Sequence, residues 1–150
     1  MKIAMVLTSH DQFGNTGLKS GFLFEEFAAP HFVFRDAGVD LTLASQNGGQ
    51  PPLDPKSDVA ADQTPAMERF RQDEVAESAV SQEVKLADLK SEDFDTVFYV
   101  GAALARCRIW PRARSRSYCS SLSTTWASPF ALVCDSPGHF GMSRARGNRS

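Results

Sequence analysis

The chain has 150 residues, 42% of them hydrophobic and 23% charged, which are the proportions of one ordinary globular domain. No apolar run approaches the roughly 18 residues a membrane-spanning helix needs, so no such helix is expected. The net charge of −2 joins two unlike parts: residues 1–100 carry 8 basic and 17 acidic side chains, whereas residues 101–150 carry 8 arginines, no lysine and the single acid Asp135.

Lys2–Thr8 is a compact apolar run ending in polar residues, which predicts a buried first strand. The apolar stretch is too short for a secretory signal, and a cytoplasmic protein is expected. Residues 9–19 read as a loop. From Ser20, apolar residues recur at helical spacing (Phe22, Leu23, Phe27, Ala28, His31, Phe34). Pro30 is expected to kink or split that helix, and Gly38 falls where a C-cap belongs. Val39–Ala44 alternates as a second strand, and a Gly/Pro-rich loop follows over residues 45–58.

Thr64-Pro65 is a helix start, with threonine as cap and proline in the first turn. The helix is expected to run to about Gln72, with a second over Glu74–Ser81. Val84–Leu89 reads as a short extended piece, and the β-branched and aromatic segment Phe94–Val100 as the next strand. Strands alternating with helices predict an α/β fold, a parallel sheet with helices on its faces and a ligand crevice at the strands' carboxyl ends. Past Gly101 the periodicity is lost until Pro129–Cys134, a buried-strand signature that runs into the turn composition Asp135-Ser136-Pro137-Gly138.

The three cysteines, Cys107, Cys119 and Cys134, have neither a C-x-x-C pair nor metal-ligand spacing, so no metal is expected, and one thiol is a candidate for reactivity. His10, His31 and His139 have no partner pattern and read as surface or packing residues. An arginine-only segment can signal nucleic-acid binding. Here it lacks interleaved aromatics and a helical face, which ranks that reading last.

Three stretches together resemble the ThiJ/PfpI superfamily (class I glutamine amidotransferase-like), and within it the heat-shock-inducible chaperone/glyoxalase III branch. They are Ser20-Gly21-Phe22-Leu23-Phe24-Glu25-Glu26-Phe27-Ala28-Ala29-Pro30, then residues 43–57 from Leu43 to Ser57, and Ala131-Leu132-Val133-Cys134-Asp135-Ser136-Pro137-Gly138. The resemblance is continuous over residues 1–101 and returns at 129–140. It implies a single flavodoxin-like domain over 1–150, with 102–128 and 141–150 matching poorly. It also implies Cys134 as nucleophile on a strand-to-helix elbow, Glu26 as the partner carboxylate with Glu25 as the neighbour, and Gly101 and Asp135 at the substrate-binding or oxyanion position. The implied activity is that of a cysteine-dependent glyoxalase III or deglycase acting on small dicarbonyls such as methylglyoxal, with no cofactor. A homodimer is left open.

Two positions depart from the family pattern. Gly101 is followed by Ala102-Ala103-Leu104 in place of a Gly-Gly-His-Gly-like loop, and Asp135 replaces the histidine that follows the nucleophile. An aspartate there raises the thiol pKa by like-charge repulsion. A non-catalytic, chaperone-like member and an inactive truncated product are therefore alternatives to the enzyme; amidase or peptidase action ranks below them.

The poorly matching segments are expected to reflect a shifted reading frame. Ser123–Pro129, written TCT ACG ACA TGG GCA AGC CCG, becomes Tyr-Asp-Met-Gly-Lys-Pro when read one nucleotide back. Gly141–Gly147 and Arg108–Pro111 convert to family-like strings by the same device. The domain is expected to lack its last strands, since such α/β domains run to roughly 200 residues.

Overall fold

The computed structural model describes residues 1–12, 16–101 and the strand 130–132. Its core is a parallel five-stranded sheet in the order β3-β2-β1-β4-β5, with β1 Lys2–Leu7, β2 Asp40–Ser45, β3 Val84–Lys85, β4 Thr96–Tyr99 and β5 Phe130–Leu132. Leaving aside the two-residue edge strand β3, this is the strand order of a flavodoxin-like, doubly wound sheet. β1 pairs with β2 on one side, Lys2 opposite Asp40 through Leu7 opposite Ser45, and with β4 on the other, Ile3 opposite Thr96 through Val6 opposite Tyr99. β5 then adds outside β4 with Leu132 opposite Tyr99. The chain thus changes direction of travel across the sheet between β1 and β4, and the crevice of such a sheet lies outside the carboxyl ends of those two strands.

β1 is buried at every position after Lys2, as a strand covered on both faces must be. Its alternate residues divide the core. Ile3, Met5 and Leu7 face α1 (Phe24–Asp36), α2 (Pro65–Arg71) and α3 (Glu74–Ser81), together with Leu43 of β2 and Phe98 of β4. Ala4 and Val6 face the opposite side, where Leu86, Leu89 and Phe94 cover them. An aromatic cluster fills the helical side: Phe27, fully buried, meets Phe22 and Phe70 edge-on at 5.5 Å each, and Phe70 meets Phe24 at 5.4 Å. Edge-to-face geometry of this kind adds to the stabilisation from burial alone. His31 belongs to the same cluster, between Phe27 and Phe32, so of the surface and packing roles left open for it the packing one holds.

The helices form largely where the periodicity puts them. Thr64 caps α2 by accepting from the Met67 N–H at 3.3 Å, with Pro65 at the first position, and Asp73 caps α3 by accepting from Ala76 at 3.0 Å. Gly38 sits just past the end of α1 with φ +74°, and its N–H and that of Val39 close the last turn on Arg35 and Phe34.

Two expectations for α1 need correction. The helix runs unbroken through Pro30, so the predicted split does not occur: buried residues on both sides of the proline, Phe27, Ala28, His31 and Phe32, hold both halves to the core. It also starts at Phe24 and not at Ser20. Leu23 is extended and Phe22 is bridged in parallel to Leu53, so Phe22 is buried for a reason other than helical facing.

Candidate functional site

The first turn of α1 lies against the carboxyl end of β4. The Leu23 N–H donates to the carbonyl of Gly101 at 3.2 Å, and Val100 donates to Val6 at 3.0 Å, so the ends of β1 and β4 and the start of α1 meet at the switch point. The segment leading into the helix is locked to the loop after β2. Phe22 N–H donates to Pro52 and Asp54 N–H returns to Phe22, at 2.9 and 3.0 Å. Gly21 is needed there because a Cβ at that position would fall 2.1 Å from the Pro52 carbonyl oxygen.

Glu25 and Glu26 part company in this turn. Glu25 is exposed and its carboxylate accepts a hydrogen bond from the hydroxyl of Thr64. Glu26 is half-buried, and its Oε2 is sealed from solvent with no hydrogen-bond partner among the described residues. A carboxylate oxygen buried without a partner carries a desolvation cost that the folded chain does not offset at that atom. Gly101 is buried at the end of β4, beside that turn. Cys134 and Asp135 lie outside the described residues, as do Cys107, Cys119 and His139.

Around the neighbouring strand ends, Ser9 N–H donates to Gln46 Oε1 at 2.7 Å and Asn47 N–H to Ser9 Oγ at 2.9 Å, which ties the loops after β1 and β2 together. Two features here were not foreseen. Ser57 takes the place of a cap for α1. Glu83, immediately before β3, is only 5% exposed, and neither carboxylate oxygen has a partner among the described residues. Burial pushes its pKa from 4.5 to about 7; the nearby Ser45 hydroxyl offsets this in part without completing a hydrogen bond. Among the described residues no group of three or more His, Cys, Asp or Glu is placed to hold a metal ion, and no helix is long and apolar enough to cross a membrane.

This sheet order, with α1 entering at the switch point, is the fold of the ThiJ/PfpI-type, class I glutamine amidotransferase-like proteins, as the sequence resemblance implied. Three solved structures share it. Rapid Encystment Protein 24 KDa of Francisella tularensis is 22% identical, with a TM-score of 0.74 over 93% of this chain and 60% of that one. Glyoxalase III of Candida albicans is 24% identical, with a TM-score of 0.73 over 93% and 59%. An isoprenoid biosynthesis protein with an amidotransferase-like domain from Ehrlichia chaffeensis is 14% identical, with a TM-score of 0.52 over 91% and 65%. The chain spans about three fifths of the length of the first two. No protein-family profile and no curated protein sequence matches it.

Proposed function

We propose that the chain is a cysteine-dependent, glyoxalase III-like enzyme that converts small dicarbonyls such as methylglyoxal to the hydroxy acid, lactate in that case. The observation that carries the reading is the buried Oε2 of Glu26 in the first turn of α1, unpartnered among the described residues, while the adjacent Glu25 is occupied by Thr64. The register of β5 supports it: Leu132 lies opposite Tyr99, and Cys134 follows Leu132 by two residues just as Gly101 follows Tyr99, a reach of about 7 Å of chain.

In this reading the Cys134 thiolate adds to the aldehyde carbon, forming a C–S bond and an alkoxide that backbone N–H groups at the Gly101 end stabilise. Glu26 takes the proton from that carbon and returns it to the neighbouring carbon, leaving a thioester beside a new hydroxyl. Water cleaves the C–S bond, releasing lactate and the thiol. One substrate carbon is oxidised as the other is reduced, so no external oxidant enters. The same reading takes the protein as cytoplasmic, with a small-molecule substrate and no nucleic-acid partner.

The test is lactate formation from methylglyoxal by wild type, Cys134→Ala and Glu26→Gln. Turnover that falls at least ~100-fold in both variants is expected, on the scale of losing a nucleophile or a general base. No lactate from wild type, or full activity in Cys134→Ala, overturns the reading. Asp135 in place of the family's histidine favours one alternative, a chaperone-like member of the same fold. Suppression of client aggregation that survives Cys134→Ala would select it.

A further inference from the structure

Helix α1 begins without a cap of its own. Its N-cap residue, Leu23, has no side chain able to accept a hydrogen bond, and the first turn carries two acids. The N–H of Phe24 is instead taken by Ser57 Oγ at 3.1 Å, from 33 residues away. Ser57 is itself fixed from both ends: its hydroxyl donates to the Asp54 carbonyl at 2.8 Å, and its N–H donates to the same oxygen at 3.0 Å. Asp54, 3% exposed, closes the turn by accepting from the Lys56 N–H at 2.9 Å. The strand-like pairing of Phe22 with Pro52 and Asp54 holds the same loop to the residues just before the helix. The Asp54-Pro55-Lys56-Ser57 turn is therefore a preformed clasp that bonds outward to Phe22 through the Asp54 N–H and, through the Ser57 hydroxyl, to the turn that carries Glu26.

We infer that Ser57 is a positioning residue for Glu26: it caps α1 from the loop after β2 and so sets where the Glu26 carboxylate stands at the switch point. This rests on the reading of Glu26 as the proton-transferring group. The physical reason is that an uncapped first turn frays, since its N–H groups have no intrahelical acceptors. Glu26 is the third residue of the helix, inside the region that fraying reaches. Its Oε2 has no hydrogen-bond partner among the described residues to resist that motion, so the backbone holds it.

The experiment compares full-length wild type, Ser57→Ala and Ser57→Thr by amide hydrogen exchange at residues 22–27 and by methylglyoxal turnover. Ser57→Ala is expected to raise exchange at Phe24 by roughly 5-fold or more, the scale of a lost helix cap. It is also expected to lower kcat about 10- to 100-fold with KM nearly unchanged, as for a displaced catalytic group. Ser57→Thr, which keeps the hydroxyl, restores both. Unchanged exchange at Phe24 in Ser57→Ala overturns the inference, and so does unchanged kcat in an active protein. A wild type that makes no lactate defeats the functional reading instead. In that case exchange alone decides whether Ser57 holds the turn.

Discussion

Glu83 makes the stability of this protein depend on pH in the direction opposite to that of a salt-bridged carboxylate. Its carboxyl is buried beside the fully buried Ser45, with both oxygens unpartnered among the described residues, and burial raises its pKa from 4.5 to about 7. Below pH 4.5 the group is protonated whether the chain is folded or not, and it contributes no pH dependence. Between 4.5 and about 7 the unfolded chain releases the proton while the folded chain retains it, so stability falls as pH rises. Above about 7 the loss is complete. At 1.36 kcal/mol per pKa unit the ceiling is about 3 kcal/mol. The edge position of β3, only two residues long, lets the segment relax, and about 1 to 3 kcal/mol is the working range. Glu83→Gln keeps the shape and cannot ionise. It should melt about 3 to 10 °C above wild type at pH 8 and close to wild type at pH 4.5, by the usual conversion for a domain of this size. Thermal melts at several pH values would check this; a curve for Glu83→Gln parallel to that of wild type would refute the reasoning.

His31 supplies the opposing slope. Its ring is buried with both nitrogens unpartnered among the described residues; burial lowers its pKa, Arg35 and Arg69 add to that, and Asp73 opposes it. Folded His31 stays neutral as the unfolded chain gains a proton below 6.5, so stability falls as pH falls through that value, and His31→Leu should flatten the acid limb of the melting profile. Phe27→Ala removes the hub of the aromatic cluster and should cost about 3 to 5 kcal/mol, read as a lower urea midpoint. Gly21→Ala drives a methyl to 2.1 Å from the Pro52 carbonyl oxygen and should cost about 1 to 3 kcal/mol while raising exchange at Phe22 and Asp54; unchanged exchange there would contradict the close approach.

In the window just below pH 6.5 the two titrating groups act in opposite directions, Glu83 favouring the acid side and His31 the basic side. A wild-type profile that looks flat in this window is therefore the sum of two slopes, and each single variant uncovers the other. Neither group was conspicuous in the sequence. His31 was legible as a packing residue because it recurs at helical spacing with Phe27 and Phe34. Glu83, within Gln82-Glu83-Val84-Lys85, reads as exposed polar chain. It is carried inward because Val84 and Lys85 pair with Ala44 and Ser45, which sets Glu83 beside β2.

What the sequence exposes and what it hides divide along the same physical line. Strands β1, β2, β4 and β5 and helices α2 and α3 announce themselves, since each is built from neighbours in the chain: a run of apolar residues, an alternation, a Thr64-Pro65 cap. The start of α1 does not. Phe22 and Leu23 continue the helical spacing backwards, yet Phe22 is buried by pairing with Leu53, and periodicity alone cannot distinguish a core-facing extended segment from a core-facing helical turn. The cap that fixes the true start, Ser57, is 33 residues distant and belongs to a turn whose Asp-Pro-Lys-Ser composition signals only a local bend. Resemblance pointed to Glu26 with Glu25 as its neighbour, and the fold sets the two apart by giving Glu25 a partner in Thr64, the cap of another helix. The surroundings of the two acids in the first turn of α1 are thus set by contacts from the loop after β2 and from α2, and substitutions in those two segments should shift Glu26 without touching it.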